Sequence, residues 1–280
     1  MKLISFSRNG QDSWGAVEGD KVADLGHLAP DLKSGLTLDI SAVLAQAPRY
    51  TLDSLTFLPV IPNPGKIFCI GINYTTHIAE TGRDFPTKPV IFMRVAESQQ
   101  GHLQPLLRPK ESEQFDFEGE LAVIIGKPVR RVAPEDALDA VAGYSCYNDG
   151  SVRDWQRHSS QFAPGKNFFR TGGFGPWLVT ADEVPDPSTL HLTTRLNGDV
   201  MQEAPISDLV FGVRELISYC STFTPLAPGD VIVTGTTGGV GAFRDPKVWM
   251  APGDQVEVEI SGIGTLFNFI ADDDTRSAAP

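Results

Sequence analysis

The sequence predicts an α+β protein that is built predominantly from β-strands. Short apolar runs separated by turns containing Gly or Pro recur along most of the 280 residues, whereas only residues 134–141 and 208–220 show a clear helical pattern. A chain of this length with 41% hydrophobic residues can bury a substantial core. We therefore expect one large domain with a small domain attached to it.

The N-terminal region predicts a small β-rich domain over residues 1–60. The runs WGAV at 14–17 and KVADL at 21–25 flank the turn signal EGD, and a short helix is expected at 39–45. Pro59, Pro62, Pro64 and Gly65 then mark a linker. The larger domain is expected to span residues 64–271, and residues 272–280 are expected to form a flexible tail.

The charge of the chain argues against two classes of binding partner, and its cysteines indicate a reducing compartment. A net charge of −12 and a pI near 4.8 argue against binding to nucleic acid or to an anionic membrane. The N-terminus becomes polar too quickly for a signal sequence, and no apolar run approaches the length of a membrane span. Cys69, Cys146 and Cys220 are odd in number and widely spaced, which favours reduced core thiols and a cytoplasmic protein.

Three carboxylates predict a divalent-metal site. Side chains alternate along a strand, so Glu118 and Glu120 project to one side, where Ala122 and Ile124 follow them. Two unpaired carboxylates at the border of a core would repel each other and be costly to desolvate, and a cation offsets both costs. With Asp149 the ligand set offers only oxygen, which favours Mg²⁺ or Mn²⁺ and also allows Ca²⁺. Glu-x-Glu alone would favour an edge strand with two solvated glutamates.

His77 and Glu80 form a predicted acid–base pair. Asn73 or Thr75 can cap a short helix that Gly82 closes, and this places His77 and Glu80 at i and i+3 on one face. A carboxylate bonded to an imidazole fixes its tautomer and raises its basicity. The alternative is an incidental pair on a surface helix.

Positive charge for the substrate is predicted at Arg153, Lys166 and Arg94. Arg153 lies four residues after Asp149 and Gln156 three further, so one or two helical turns would direct both toward the ligand side. The guanidinium of Arg94 can form a bidentate clamp on a carboxylate. A solvated loop lysine is the alternative for Lys166.

Two further positions stay open at this point. Thr236 lies in the Gly-rich loop GTTGG, which taken alone is more often only a turn. His102 is interpreted as structural, with a place in the pocket as the alternative.

Several motifs occur in the order seen in the fumarylacetoacetate hydrolase family. They are GINYTTHIAE at 71–80, EGEL at 118–121, NDGSVRDWQ at 148–156, GKNF at 165–168, GTTGGVG at 235–241, PGDQVEVEI at 252–260 and GIGTL at 262–266. The chain resembles that family from about residue 66 to residue 270, and several independent motifs in one order are a specific signal. The chain departs from the family where many relatives carry Lys-Pro, because it carries Arg94-Val95 instead.

The resemblance implies a catalytic domain with a mixed β-sandwich or β-roll, and a homodimer. It also implies that His77 and Glu80 activate water, that Lys166 polarises an oxygen of the substrate, and that Thr236 contacts the substrate. The expected substrate is a small 2-oxo or 2,4-dioxo acid.

The predicted reaction is hydrolysis of a carbon–carbon bond in an acylpyruvate-type acid such as fumarylpyruvate or fumarylacetoacetate. A divalent ion and Lys166 would stabilise enolate character, while His77 with Glu80 supplies hydroxide. The same enolate without added water would give decarboxylation of an oxaloacetate-like acid or isomerisation of an unsaturated dioxo acid. A non-catalytic metal-stabilised binding module is the hypothesis from another class, and the intact ligand and base positions argue against it.

Overall fold

The computed structural model describes residues 1–274, and β-strands dominate them. The nineteen strands of the described part are β1 Lys2–Arg8, β2 Gln11–Glu18, β3 Lys21–Asp24, β4 Arg49–Thr51, β5 Thr56–Phe57, β6 Ile67–Gly71, β7 Val90–Arg94, β8 Gln99–Gln100, β9 Pro105–Arg108, β10 Phe115–Asp116, β11 Gly119–Ile125, β12 Val141–Asn148, β13 Ser151–Val152, β14 Gly172–Thr180, β15 His191–Leu196, β16 Asp199–Pro205, β17 Val231–Val233, β18 Gln255–Ile260 and β19 Gly264–Asp272.

Helices are few and mostly short. The α-helices within residues 1–274 are α1 Leu32–Gly35, α2 Thr75–Thr81, α3 Arg153–Gln156, α4 Ala163–Lys166 and α5 Val213–Phe223. The 3-10 helices are Leu44–Gln46, Leu52–Ser54, Ala96–Ser98, Pro134–Ala140, Pro187–Thr189, Ile206–Asp208 and Gly241–Phe243. No helix in the described part is long and apolar enough to cross a membrane.

Two sheets form the framework. Among the described residues, the larger sheet has twelve strands in the order β4-β3-β2-β1-β14-β12-β11-β17-β6-β7, with β5 paired to β1 and β8 paired to β14. The smaller sheet has the order β16-β15-β18-β19-β9, and β10 pairs separately with β13. Most pairs are antiparallel, but β17–β6, β14–β8 and β19–β9 are parallel, so the sheets are mixed. The predicted α+β class with mixed sheets is confirmed.

Strand β11 is buried on both faces and lies inside the larger sheet, between β12 and β17. Leu121, Val123 and Ile125 pack in a core shared with the smaller sheet and α5, whereas Ala122 and Ile124 pack in the core on the opposite face. A strand covered on both sides becomes a continuous apolar run, which explains the sequence LAVII. Alternation places the two preceding glutamates on the side of Ala122 and Ile124.

The strands of residues 1–60 continue the larger sheet. β1 pairs with β14 antiparallel, with Lys2 opposite Val179, and Trp14 and Leu25 share a core with Ile67. The domain boundary near residue 60 stays a prediction. Of the predicted tail at 272–280, Asp272 is the last residue of β19, and residues 275–280 lie outside the described residues.

Three predicted helices differ from the observed ones. In the segment expected to be helical at 39–45, residues 41–43 form a turn that leads into the 3-10 helix Leu44–Gln46, and residues 134–140 form a 3-10 helix rather than an α-helix. The helix expected at 208–220 begins only at Val213, because Gly212 is its N-cap and Glu215 Oε2 accepts the backbone N–H of Gly212 at 3.0 Å. This bond satisfies one of the N–H groups at the start of the helix that have no partner within it, which favours a helix that begins directly after Gly212.

The cysteines and His102 have structural surroundings. All three cysteines are buried free thiols, and burial raises the pKa of each. His102 packs edge-on against Phe57, and its Nδ1 accepts the backbone N–H of Phe267 at 3.1 Å. Burial lowers the pKa of His102 to about 4. His102 is therefore a neutral acceptor within the fold.

Candidate metal centre and active site

The three predicted metal ligands meet where β11 begins and β12 ends. Antiparallel pairing sets Gly119 of β11 opposite Asn148 of β12. Glu118, which directly precedes β11, and Glu120 within it therefore lie beside Asp149, which directly follows β12. Asp149 donates its backbone N–H to Glu118 O at 2.8 Å. Carboxylate oxygens of the three residues lie within 4.8 Å of one another, and all three side chains are buried.

Three cations surround two of these carboxylates. Lys166 Nζ lies 2.6 Å from Glu118 Oε2 and 2.6 Å from Asp149 Oδ2. Arg153 Nη1 lies 2.6 Å from Glu118 Oε1, and Arg94 Nη1 lies 2.5 Å from Asp149 Oδ1. Buried charges of this kind persist only when paired and hydrogen-bonded. The pairs therefore fix the carboxylates in place.

The pKa of Glu118 reflects these partners. Burial alone would raise the pKa of its carboxyl, but Arg153 and Lys166 outweigh burial and lower the pKa to about 2. Glu118 is consequently ionised and able to act as a ligand.

Glu120 differs from Glu118 because no cation contacts it among the described residues. Its Oε2 accepts the backbone N–H of Gly235 at 2.5 Å. Burial, together with the nearby charges of Asp149 and Glu118, raises the pKa of Glu120 well above its ordinary value. A divalent ion among the three oxygens would supply the missing positive charge. The donor set is all oxygen, so the residues fit a hard cation such as Mg²⁺, Mn²⁺ or Ca²⁺.

Helix α2 presents His77 and Glu80 beside this cluster. His77 Nδ1 lies 2.6 Å from Glu80 Oε1, and Glu80 Oε2 accepts the backbone N–H of Gly239 at 2.8 Å. A carboxylate only accepts hydrogen bonds, so Nδ1 carries the hydrogen and Nε2 is left as the basic nitrogen. The spacing of i and i+3 thus brings the two side chains together as expected.

The cap predicted for α2 is wrong. Its N-cap is Tyr74, which makes no capping bond through its side chain, while Gly82 closes the helix in the left-handed conformation with φ of 64°. Asn73 instead donates to Thr234 O at 2.7 Å and accepts the N–H of Phe211 at 2.9 Å. Its side chain holds the start of α2 against neighbouring loops rather than capping the helix.

A cavity of about 680 Å³ opens beside the carboxylates. Seven of the ten predicted site residues line it, namely His77, Glu118, Glu120, Arg153, Gln156, Lys166 and Thr236. Glu80 and Asp149 lie behind this wall, where they contact His77 and Lys166. Apolar side chains, among them Phe92, Phe162 and Phe243, cover other parts of the wall.

Arg94 does not lie on the cavity wall, where a residue that contacts the substrate would have to be. Its guanidinium is completely buried, is absent from the cavity wall, and donates to Asp149, Gly150 O and Thr171 Oγ1. These acceptors occupy the N–H groups of Arg94 that the sequence analysis assigned to a substrate carboxylate. The structure corrects that prediction: Arg94 orients Asp149 from behind.

Arg153, Gln156 and Thr236 keep positions suited to substrate contact. Arg153 Nη1 also donates to Gln156 Oε1 at 3.1 Å, while its buried Nη2 has no hydrogen-bond partner within residues 1–274. Thr236 Oγ1 donates to Gly119 O at 2.9 Å and accepts from Gln202 Nε2 at 2.8 Å. An unpartnered buried donor at a cavity wall is the group that a ligand oxygen would satisfy.

Two residues of the site carried no predicted role. Asp116 is fully buried, and its carboxylate accepts Arg153 Nε at 2.8 Å and the backbone N–H groups of Gly241 and Ala242 at 2.8 and 2.9 Å. Its position two residues before Glu118 was a usable signal, since alternation puts both on one side. Gln202 bonds Gly119 and Thr236 from another sheet, and no local pattern indicates that contact.

Comparison with known proteins agrees with the geometry. The family described as "Fumarylacetoacetate (FAA) hydrolase C-terminal" matches residues 66–271. The mitochondrial oxaloacetate tautomerase FAHD2A of Bos taurus is 41% identical over 229 residues, which cover 81% of this chain and 73% of that protein.

Two solved structures share the fold. A fumarylacetoacetate hydrolase from Exiguobacterium antarcticum has a TM-score of 0.88 and 34% identity over 97% of this chain and 99% of the other. A maleylpyruvate hydrolase from Sphingobium sp. SYK-6, solved with manganese(II) and pyruvate, has a TM-score of 0.81 and 30% identity over 97% and 99%. The chain belongs to the fumarylacetoacetate hydrolase family.

Proposed function

We propose that the chain is a divalent-metal-dependent enzyme that moves a proton at C3 of a 2-oxo acid, interconverting the keto and enol forms of an oxaloacetate-like acid. One observation carries the proposal: His77, which is bonded to Glu80 behind it, lies on the wall of the cavity that Glu118 and Glu120 also line. A base and a cation site in one cavity are what proton abstraction next to a carbonyl requires. The oxaloacetate tautomerase at 41% identity supports this choice of reaction.

Charge balance supports an anionic head group. The buried cluster contains four carboxylates, those of Asp116, Glu118, Glu120 and Asp149, and three cations, Arg94, Arg153 and Lys166. With all groups ionised the cluster carries one net negative charge, and a divalent ion would change it to one net positive charge. A single carboxylate beside a 2-oxo group complements that charge.

The chain's own residues divide the chemistry between them. When bound, a divalent ion held by Glu118, Glu120 and Asp149 supplies a Lewis acid for the oxygens of the 2-oxo acid. Arg153 Nη2 donates to the head carboxylate. His77 Nε2 takes the proton from C3, Glu80 stabilises the resulting imidazolium, and the proton returns to the oxygen on C2 to give the enol.

The test is the rate of keto–enol interconversion of oxaloacetate, followed by the absorbance of the enol and by deuterium exchange at C3. The enzyme with Mg²⁺ or Mn²⁺ should exceed both the same metal alone and the enzyme with chelator, and His77→Gln should remove most of the excess. A wild-type rate equal to that of the metal alone would reject the proposal.

Hydrolysis of an acylpyruvate is a second candidate, and the size of the cavity favours it. A volume of about 680 Å³ is typical of sites for ligands much larger than a four-carbon acid. The maleylpyruvate hydrolase at 30% identity supports the same candidate. In this reaction the His77–Glu80 pair would take a proton from water instead of from C3. Release of pyruvate from a panel of acylpyruvates separates the two candidates.

A further inference from the structure

Helix α2, which carries His77 and Glu80, is too short to hold its own direction. It has seven residues, and isolated helices shorter than about 12 residues are only marginally stable in water. Of these seven residues, Ile78 is the one with a buried apolar side chain. The place of His77 beside the carboxylates therefore depends on the polar contacts that α2 makes with neighbouring segments.

The Gly-rich loop at 235–241 supplies such contacts. Thr76 Oγ1 lies 2.9 Å from Thr237 Oγ1 and accepts the backbone N–H of Gly238 at 3.1 Å. A Cβ on Gly238 would lie 3.2 Å from the Cβ of Thr76, so the helix and the loop approach closely at this point. One turn further along, Glu80 Oε2 accepts the N–H of Gly239. Residues i and i+4 share a helix face, so Thr76 and Glu80 fasten one face of α2 to consecutive residues of the loop.

The loop itself is held in place without Thr76. Its first residue, Gly235, donates its backbone N–H to the predicted metal ligand Glu120. Arg244 Nε donates to Gly239 O at 2.9 Å. The loop is therefore a support that extends from a metal ligand to the helix of the base, and loss of the Thr76 hydroxyl would free the helix rather than the loop.

We propose that Thr76 is a positioning residue for the His77–Glu80 pair, because its hydroxyl fastens α2 to the Gly-rich loop and so holds His77 beside the carboxylates. This inference rests on the proposed function. Thr76 is not a residue of the cavity wall, and its hydroxyl bonds no metal ligand within residues 1–274. It can therefore act on the reaction only through the helix, and its loss should lower kcat and leave KM and metal affinity in place.

The test is Thr76→Val, which keeps the shape of the side chain and removes its hydroxyl. The backbone amides of α2 should exchange hydrogen about tenfold faster, and kcat for deuterium exchange at C3 should fall about tenfold, the scale of the hydrogen bonds lost. KM and the midpoint of a Mn²⁺ titration should change less than about twofold. The amides of β11 should keep their wild-type exchange, which shows that the fold is intact. Thr76→Ser, which restores the hydroxyl, should restore both rates.

A second variant approaches the same contact from the loop. Thr237→Val removes one of the two bonds that Thr76 Oγ1 makes, so it should change both rates in the same direction but by less. Combined with Thr76→Val it should add no further loss of kcat, because the shared bond is already absent.

Thr75→Val is the matched control, because it makes the same change at the neighbouring exposed residue of α2, whose hydroxyl has no hydrogen-bond partner in the described part of the chain. It should match wild type in every measurement. Amide exchange of α2 in Thr76→Val that equals that of Thr75→Val, an unchanged kcat, or a loss that Thr76→Ser does not restore overturns the inference. If wild type itself gives no exchange at C3, the proposed function fails instead, and the amide exchange of α2 still decides whether Thr76 fastens the helix.

Discussion

Asp116 and Arg153 form a buried ion pair, with Arg153 Nε 2.8 Å from Asp116 Oδ2. The same carboxylate accepts the backbone N–H groups of Gly241 and Ala242, at the end of the Gly-rich loop that carries Thr236. Burial raises the pKa of Asp116, and Arg153 opposes that rise. Asp116 thus joins the guanidinium beside Glu118 to the loop that carries Thr236.

The first prediction concerns Asp116→Asn. Asparagine keeps the size of the side chain but removes one of the two buried carboxylates that Arg153 contacts, leaving only Glu118, so we expect a loss of about 3 kcal/mol in the free energy of unfolding. Misplacement of Arg153 and Glu118 should also weaken metal binding about 10- to 100-fold, the usual effect of residues that orient ligands. Urea unfolding and metal titration measure the two effects.

Asp199→Asn, at an exposed position in β16, is the control for loss of one carboxylate. It should match wild type in both measurements. An Asp116→Asn protein that binds metal as tightly as wild type would show that Arg153 keeps its place without Asp116.

The second prediction concerns Glu120→Gln. Glutamine has the same shape and still accepts the N–H of Gly235, so the metal-free protein should unfold near the wild-type temperature. One of the three anionic ligands is lost, however, and the rise in unfolding temperature on adding Mn²⁺ should largely disappear. Differential scanning fluorimetry with and without Mn²⁺ measures this. Glu203→Gln, an exposed glutamate in β16, should retain the full rise.

The third prediction concerns Lys166→Met. Lysine bridges Glu118 and Asp149, so methionine leaves two buried carboxylates without that shared cation and should destabilise the metal-free protein. The cluster then carries one more negative charge, and the metal-induced rise in unfolding temperature should exceed that of wild type. Activity should fall at the same time, because a cation beside the substrate is lost. A smaller metal-induced rise than in wild type would mean that Lys166 does not compete with the ion.

The sequence predicted the parts of this site that depend on local spacing. Alternation along one strand placed Glu118 with Glu120, and the turn of one helix placed His77 with Glu80; the structure has both contacts. Such pairs need only the period of their own element.

Contacts between distant segments were not predictable in this way. Arg94 is 55 residues from Asp149, and its burial depends on where β7 and β12 lie in the larger sheet. Gln202 reaches Gly119 from a strand of the smaller sheet. The sequence pattern of a strand does not determine which other strand lies next to it in the folded protein. The predicted start of α5 was wrong for a different reason. The helical pattern in the sequence continues upstream of Gly212, but the helix is capped at that residue.

The fourth prediction concerns pH and His102. Burial lowers the pKa of His102 from its ordinary 6.5 to about 4. Below pH 6.5 His102 is protonated in the unfolded chain, whereas in the folded protein it stays neutral down to about pH 4. The free energy of unfolding should therefore fall as the pH drops through this window. The loss from this one group is about 3 kcal/mol at the lower end.

Urea unfolding at about pH 7 and about pH 4.5, on either side of most of this titration, measures the effect of His102. His102→Asn keeps an acceptor for the N–H of Phe267 but cannot be protonated, so its stability should fall less than that of wild type between the two pH values. The stability of His27→Asn, a substitution at an exposed histidine, should fall as much as that of wild type. An equal fall in wild type and His102→Asn would mean that His102 is not the group that titrates.

The fifth prediction is a double-mutant cycle on His77 and Glu80. His77→Gln removes the base and should slow C3 exchange by about two to four orders of magnitude, the usual contribution of a general base. Glu80→Gln leaves the base but replaces its anionic partner, so the loss should be smaller, about tenfold to a hundredfold. The double variant should be no slower than His77→Gln, because the two residues act as one unit.

Glu80 also accepts the N–H of Gly239, so a purely structural role for it must be tested in the same cycle. If Glu80 only anchors the Gly-rich loop, its substitution should slow the His77→Gln protein as much as it slows wild type, and the two effects would add. Additivity would therefore assign Glu80 to the loop, whereas its absence assigns Glu80 to the imidazole. His191→Gln, at a half-buried position outside the cavity wall, should leave all rates unchanged.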